Sequence, residues 1–192
     1  MTAPQLSLID APGTAAPQGF AYLPAIVSRA EETELIARLH GLPLREFEFR
    51  GYLGKRRVVS FGMRYDFADR AVHRVEAIPD YLLPLRDRAA GFAGLPPAAL
   101  EHALVTEYRP GAAIGWHRDR PAFGDVVGIS VAAACRFRFR RKSDARWQRR
   151  SIILAPRSAY LLRGVARDDW EHSIPPVEEL RYSVTFRTMR SA

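Results

Sequence analysis

Two histidines and one aspartate have the residue types and spacing of a metal-binding site. His117 and Asp119 are separated by one residue, and in an extended backbone residues i and i+2 project to the same side of the chain. His172 follows later, in the segment Trp170-Glu-His172. Two imidazoles and one carboxylate bind one face of a non-haem Fe(II) ion and leave its other positions open. The alternative, from these residues alone, is a chance pairing of surface side chains.

A strand near the end of the chain carries a second group of polar residues. In the segment Arg181-Tyr-Ser-Val-Thr-Phe-Arg187 alternate residues face opposite sides, so Arg181 and Arg187 share one face with Ser183 and Thr185. Two guanidinium groups on a dry face are costly unless they bind an anion, and arginine binds carboxylates through paired hydrogen bonds. The face therefore indicates a pocket for a dicarboxylate, unless the strand is an edge strand with a solvated face.

The elements that position these residues begin with helices and continue with strands. Ser28 and Glu31 have the spacing of a capping box and predict a helix that ends near Gly41. The segment 46–67 predicts strands or an ordered loop, whereas 79–92 has helical spacing. Short strands are predicted at 104–108, 126–131, 136–141, 151–154, 159–163 and 181–188. This order indicates an α+β fold with a β-sandwich or jelly-roll core.

Length and composition bound the class of protein. The chain has 192 residues, is 47% hydrophobic and has a single cysteine, Cys135, so it can bury a core but cannot form an internal disulfide or a cysteine-based zinc site. We expect one domain over 19–192, preceded by a flexible leader at 1–18. A net charge of +8 favours a polyanionic partner. Because no membrane span or signal peptide is evident, we expect a cytoplasmic protein, with a monomer as the default.

Taken together, the motifs resemble those of the AlkB family of Fe(II)/2-oxoglutarate-dependent dioxygenases. The resemblance rests on Tyr108-Arg-Pro-Gly111, His117-Arg-Asp119, Gly128-Ile-Ser-Val131, Trp170-Glu-His172 and the segment 181–187. It is strong over 100–190 and looser over the first helix, Gly54-Lys-Arg-Arg57 and Phe61-Gly62. The family implies a double-stranded β-helix core (jelly-roll, cupin-like) with the N-terminal helices packed on it. It also implies Fe(II) as the metal, 2-oxoglutarate as the cosubstrate and O₂ as the oxidant.

The resemblance also implies a role for each matching residue. The iron ligands, which form the catalytic centre, would be His117, Asp119 and His172. Arg187, helped by the Tyr108 hydroxyl, would hold the distal carboxylate of 2-oxoglutarate. Arg181 would lie near the carboxylate that chelates iron.

Three positions depart from the family pattern. Ser183, in the cosubstrate-binding strand, and Thr106 stand where an asparagine is common in the family. Both are short and polar, so cosubstrate binding, including a contact from Ser183, should survive. Pro121 stands where some members carry an acidic residue that touches the substrate base, so the base specificity of those members does not transfer.

The N-terminal half would supply contacts to the substrate. In the family a lid over the iron recognises the nucleotide, and here it corresponds to residues 46–67. Candidate phosphate contacts are Lys55, Arg56 and Arg57, and candidate stacking residues are Tyr52, Phe61 and Tyr65. The alternative is a solvated basic turn between core aromatics. In 136–141 Phe137 and Phe139 share one face, and the alternating arginines form either a phosphate-binding stripe or the solvated face of a strand.

The activity that the resemblance implies is oxidative demethylation of N-alkylated bases in DNA or RNA, with release of formaldehyde, succinate and CO₂. The base would have to be flipped out of a duplex or supplied in a single strand. A second interpretation keeps the iron centre but changes the substrate to a protein side chain or a small molecule. A third is a catalytically silent nucleic-acid-binding module, which predicts missing metal ligands, whereas all three are present in the sequence.

Overall fold

The computed structural model describes residues 16–49, 52–66, 69, 71–144 and 146–190, and most of the expected leader lies outside them. The strands are β1 Phe20–Leu23, β2 Arg45–Phe49, β3 Tyr52–Phe61, β4 Met63–Tyr65, β5 Val72–Arg74, β6 His102–Tyr108, β7 Ile114–His117, β8 Phe123–Val131, β9 Cys135–Ser143, β10 Arg146–Leu154, β11 Ser158–Leu162, β12 Glu171–Ile174 and β13 Arg181–Met189. The helices are α1 Arg29–His40, α2 Leu83–Ala93 and α3 Gly164–Asp168, with 3₁₀ turns at Asp80–Leu82 and Pro97–Ala99.

The strands form two antiparallel sheets that pack against each other. The larger sheet has the order β1-β11-β8-β13-β6-β3-β2, the smaller has the order β10-β9-β12-β7, and β4 pairs with β5. Rings from the two sheets meet between them: the centroids of Phe137 in β9 and Tyr160 in β11 are 4.8 Å apart. This is the expected α+β fold with a double-stranded β-helix, or jelly-roll, core.

The side chains of β13 alternate between two different environments. Tyr182, Val184 and Phe186 pack in a core that the larger sheet forms with the helices, together with Leu39 and Leu82. A second core lies between the sheets and includes Phe137, Phe139, Leu154, Tyr160 and Trp170. The arginines of β13 face this second space, so the predicted alternation of that strand is confirmed.

Helix α1 begins where the sequence predicts. The Ser28 hydroxyl accepts a hydrogen bond from the Glu31 amide at 3.3 Å, and the Glu31 carboxylate accepts one from the Ser28 amide at 2.8 Å. This capping box satisfies two amide groups that the first turn leaves unpaired, and such a cap contributes about 1 kcal/mol. The helix ends at His40, before Gly41, and buries Leu35 and Leu39 against the larger sheet.

The segment 46–67 contributes strands to the edge of the larger sheet. Strand β3 pairs with β6, with Val59 opposite Val105, and β2 pairs with β3 beyond it. The β2–β3 register shifts because Glu46 pairs with Arg57 whereas Phe47 pairs with Gly54, so β3 bulges at this point. No helix among the described residues is long and apolar enough to cross a membrane.

Candidate metal and cosubstrate site

The three expected metal ligands come together on the inner side of the smaller sheet. His117 and His172 are direct partners in the β7–β12 pairing, and their ring centroids lie 4.3 Å apart. Asp119 follows the end of β7, and its Oδ2 lies 3.6 Å from His172 Nε2. The Nδ1 of His117 lies 2.9 Å from the Gly115 carbonyl oxygen. A proton on that nitrogen leaves Nε2 free to bind a metal.

One carboxylate oxygen at this point lacks a partner. Asp119 Oδ2 is buried and accepts no hydrogen bond from the described residues. A buried, unsatisfied carboxylate oxygen is costly, and a divalent cation beside two imidazoles would satisfy it. Among the described residues no group of three or more His, Cys, Asp or Glu side chains is arranged so that it could hold a metal ion. The three donors fit a metal ion by residue type and through the unsatisfied Asp119 oxygen, and their role as ligands stays a prediction.

The protonation states of these groups suit a metal site. Burial, followed by the neighbouring His117, lowers the pKa of His172 to about 3, and burial also lowers the pKa of His117. Burial alone would raise the pKa of Asp119, but the charge of Arg187 and the nearby histidines hold it below its usual range. At neutral pH the site therefore holds one carboxylate and two neutral imidazoles, the forms that ligate a metal.

Arg187 is engaged at the metal end of the site. Its Nε and Nη2 both lie 2.7 Å from Asp119 Oδ1, and its Nη1 donates to His102 Nδ1 at 3.2 Å. The side chain of Arg187 is thereby held against Asp119. These contacts use all three guanidinium nitrogens of Arg187, so its expected hold on the distal carboxylate of the cosubstrate stays a prediction.

Arg181, at the other end of the β13 segment, has the properties of an anion-binding group. It is fully buried, and its Nε donates to Ser130 Oγ at 3.0 Å. Its guanidinium carbon lies 5.0 Å from the ring centroid of Tyr108, the residue opposite it in β6. Its Nη1 is buried without a hydrogen-bond partner among the described residues. A buried cation with an unused donor is costly, and a bound anion would offset that cost.

Further residues line the space between the two arginines. Ser183 pairs with Thr106 on one side and with Ser130 on the other, and all three are buried. Tyr160 faces the same space, since burial and then the charge of Asp119 raise its pKa. Its ring packs on Gly128, where a Cβ would lie 2.2 Å from it.

Ser130, Tyr160 and His102 also lie at the site and were not predicted from the sequence. Strand alternation in 126–131 and 159–163 could have indicated Ser130 and Tyr160, provided that the neighbouring strand in the sheet was known. In each of these strands the inward residue lies opposite an inward residue of the neighbouring strand, as Ser130 lies opposite Ser183. Which strands are neighbours depends on the order of strands in the sheet, and that order was not predictable from the sequence.

Two of the expected substrate contacts are wrong. Arg57 donates to Glu107 at 3.1 Å and to the Leu44 carbonyl at 2.8 Å, so it stabilises the outer side of the larger sheet. Phe61 is 3% exposed and packs in the core beneath the helices. Both point to the helix side of β3 because residues 57, 59 and 61 share one face of the strand.

The other expected substrate contacts occupy different parts of the structure. Arg56 points to the interior, where its guanidinium carbon lies 3.8 Å from the Phe47 ring centroid and its charge acts on Tyr108, Arg187 and Asp119. Lys55 is exposed. Tyr65 is half-buried, with Arg120, next to Asp119, 5.2 Å over its ring. The side chain of Tyr52 lies outside the described residues.

Comparison with known proteins identifies the family of the chain. The family model of the 2OG-Fe(II) oxygenase superfamily matches residues 19–190. An Arabidopsis thaliana protein named alkylated DNA repair protein ALKBH8 homolog is 29% identical over 200 aligned residues, covering 90% of this chain and 56% of that protein. A Danio rerio protein named probable RNA/DNA demethylase ALKBH6 is 28% identical over 112 residues, covering 58% of this chain and 45% of that protein. The chain thus spans about half the length of these relatives.

Solved structures share the fold. The structure of OsALKBH1 has a TM-score of 0.71 at 17% identity, covering 91% of this chain and 98% of that one. An oxidoreductase of the 2OG-Fe(II) oxygenase family from Burkholderia pseudomallei has a TM-score of 0.62, also at 17% identity, covering 90% of this chain and 86% of that one. The family match spans most of the chain, so the protein belongs to the 2OG-Fe(II) oxygenase superfamily and, within it, to the AlkB family, whose cofactors are Fe(II), 2-oxoglutarate and O₂.

Proposed function

We propose that this protein removes N-linked methyl groups from nucleic-acid bases by oxidation. The observation that carries the proposal is the buried Asp119 oxygen without a partner among the described residues, beside two neutral imidazoles, while the other oxygen is held by Arg187. The names of two relatives, an alkylated DNA repair protein and a probable RNA/DNA demethylase, support nucleic acid as the substrate class. The net charge of +8 suits a polyanion.

His117, Asp119 and His172 are the residues that would hold the iron. Together, the metal and 2-oxoglutarate supply the oxidising chemistry when they are bound. The protein contributes orientation and protonation state. Arg187 fixes one oxygen of Asp119 through two contacts of 2.7 Å, so the other oxygen points to the metal position.

The distal carboxylate of the cosubstrate belongs at Arg181 in this proposal. Arg181 has a free donor, and Tyr108 and Ser183 present hydroxyls in the same buried space. A guanidinium and hydroxyl groups in a water-poor pocket bind a carboxylate strongly. The division of labour between Arg181 and Arg187 is thus the reverse of the one that the sequence resemblance implied.

The overall reaction balances without any further reductant. One atom of O₂ enters succinate as 2-oxoglutarate loses CO₂, and the other converts N–CH₃ to N–CH₂OH. The C–N bond of that product then breaks, which releases formaldehyde and restores the N–H base. A paired base must leave its stack to reach the interior. The exposed Lys55, and Tyr65 with Arg120 over its ring, are our candidates for contacts with that base.

Formaldehyde release from methylated oligonucleotides tests the proposal. The purified chain is supplied with Fe(II) and 2-oxoglutarate, and a panel of DNA and RNA oligonucleotides carries single N-methylated bases. We expect formaldehyde and succinate in equal amounts, and neither from Asp119→Ala, which opens the metal site. Turnover of 2-oxoglutarate without formaldehyde from any member of the panel would favour a protein or small-molecule substrate on the same iron centre.

A further inference from the structure

The smaller sheet has an outer face that points away from the metal ligands. Residues on opposite faces alternate along each strand, so Trp116 and Glu171 face outward next to the inward His117 and His172. The register of β9 and β10 adds their alternate residues to the same face. We call this surface the outer face: Trp116, Arg136, Arg138, Arg140, Lys142, Trp147, Arg149, Ile153 and Glu171.

The outer face carries much of the charge of the protein. Five cations on it stand against one carboxylate, that of Glu171, which makes four of the eight net positive charges of the chain. Arg136 and Arg149 are exposed, and neither forms an ion pair within the described residues. Such a concentration of positive charge attracts a polyanion and makes its binding salt-dependent.

Stacked indole rings hold the central arginines in place. Arg140 lies 4.6 Å from the ring centroid of Trp116 and 4.6 Å from that of Trp147, and its Nε donates to Glu171. Arg138 lies 4.9 Å from the Trp116 centroid and donates to Ser173 at 3.1 Å. A stacked guanidinium loses little conformational freedom when its remaining N–H groups bind phosphate.

The outer face also exposes apolar surface on which bases could stack. Trp147 is 43% exposed and Ile153 is 54% exposed, and they are two of the three exposed large apolar residues among those the structure describes. Proteins that bind single-stranded nucleic acid combine exposed aromatic rings with cationic side chains, because each unpaired base can stack on a ring. A duplex keeps its rings stacked on one another.

A basic groove borders the outer face. It has a volume of about 570 Å³ and is lined by Arg118, Arg141, Lys142, Ser143 and Asp169. Arg118 lies between the metal ligands His117 and Asp119 in the sequence, and Lys142 belongs to the outer face.

We propose that the outer face binds the sugar–phosphate backbone of a single-stranded nucleic acid, on the stretch that flanks the base presented to the metal. This inference rests on the proposed function and adds to it a binding surface remote from the lid segment.

Fluorescence anisotropy with labelled 12-nucleotide single-stranded DNA and a matching duplex, at several salt concentrations, tests the inference. The variant Arg136→Glu/Arg149→Glu reverses two outer-face charges. Its control, Arg29→Glu/Arg38→Glu, makes the same change of net charge on exposed positions of α1. We expect the outer-face variant to bind single strands at least tenfold more weakly at low salt. The slope of log affinity against log salt should become shallower by about 1.4, since each phosphate contact on a single strand contributes about 0.7.

A second variant, Trp147→Ala, probes stacking. Loss of one stacked base weakens binding roughly five- to hundredfold, so we expect weaker binding of the single strand and unchanged binding of the duplex. All variants should keep wild-type turnover of 2-oxoglutarate without nucleic acid.

The outcomes separate the two proposals. If the wild-type protein bound neither the single strand nor the duplex, the nucleic-acid function itself would be refuted. If the outer-face variant bound the single strand as tightly as the wild-type protein, or lost no more affinity than the α1 control, the proposed role of the outer face would be refuted. The nucleic-acid function would then still stand.

Discussion

Exchanging each of the two β13 arginines for methionine should separate metal orientation from cosubstrate anchoring. Arg187→Met removes both 2.7 Å contacts to Asp119 Oδ1. Loss of a group that orients a metal ligand weakens metal affinity about 10- to 100-fold, or about 1.4–2.7 kcal/mol. Arg181→Met removes a cation whose described contacts are with Ser130 and Tyr108. Each hydrogen bond to a charged group contributes about 1.5–3 kcal/mol, so loss of a paired anchor should raise the KM for 2-oxoglutarate about a hundredfold or more.

The assay pairs two measurements on each variant. Calorimetric titration with Mn²⁺ gives metal affinity, and turnover of 2-oxoglutarate at saturating Fe(II) gives its KM. We expect Arg187→Met to lose metal affinity and Arg181→Met to keep it while its KM rises. Arg187→Lys retains a positive charge beside Asp119, so it should recover part of the metal affinity. If Arg187→Met instead raised the KM for 2-oxoglutarate and left Mn²⁺ affinity unchanged, our assignment of the two arginines would be wrong.

Three further substitutions test the helix-side core and the surroundings of the site. Burial and then the charge of Glu107 raise the pKa of Tyr182 to about 12 from 10.0. Between those pH values only the unfolded state loses this proton, so the free energy of unfolding should fall as the pH rises. Denaturation curves of the wild-type protein should show a fall that is steeper than in Tyr182→Phe by up to ~1.4 kcal/mol per pH unit. Arg56→Gln should raise the KM for a methylated oligonucleotide about tenfold and leave that for 2-oxoglutarate unchanged. A rise in the latter would place Arg56 in the cosubstrate pocket. Gly128→Ala should lower the free energy of unfolding by about 1–3 kcal/mol in urea, because its Cβ would meet Tyr160 at 2.2 Å.

The sequence was sufficient to predict the features that depend on a single helix or a single strand. The capping box at Ser28 and Glu31 forms because both partners lie within one helical turn. The alternation of 181–187 and the inward direction of Phe137 and Phe139 follow from the pleat of a single strand. The convergence of His117 and His172 was predicted from residue type, and the β7–β12 pairing brings them together.

Contacts between elements distant in sequence were not predictable in the same way. Lys55, Arg56 and Arg57 look like one basic turn in the sequence, but they lie in a strand with a bulge. Arg57 therefore points to Glu107 beneath the helices, whereas Arg56 points to the interior. Which face a residue occupies depends on register, and a shift of one residue reverses it.

The interior between the sheets has a charge imbalance that accounts for its ligand. Arg181 and Arg187 both project into this space, and Asp119 is the one carboxylate that either of them contacts there among the described residues. Unpaired buried cations destabilise a fold, so the arrangement is favourable only if further negative charge enters. A dicarboxylate cosubstrate brings two such charges, and a neutral ligand brings none. The arginine pattern therefore indicates an anionic ligand, which a dicarboxylate cosubstrate provides, because hydroxyl groups alone could not offset the cost of the buried Arg181 guanidinium.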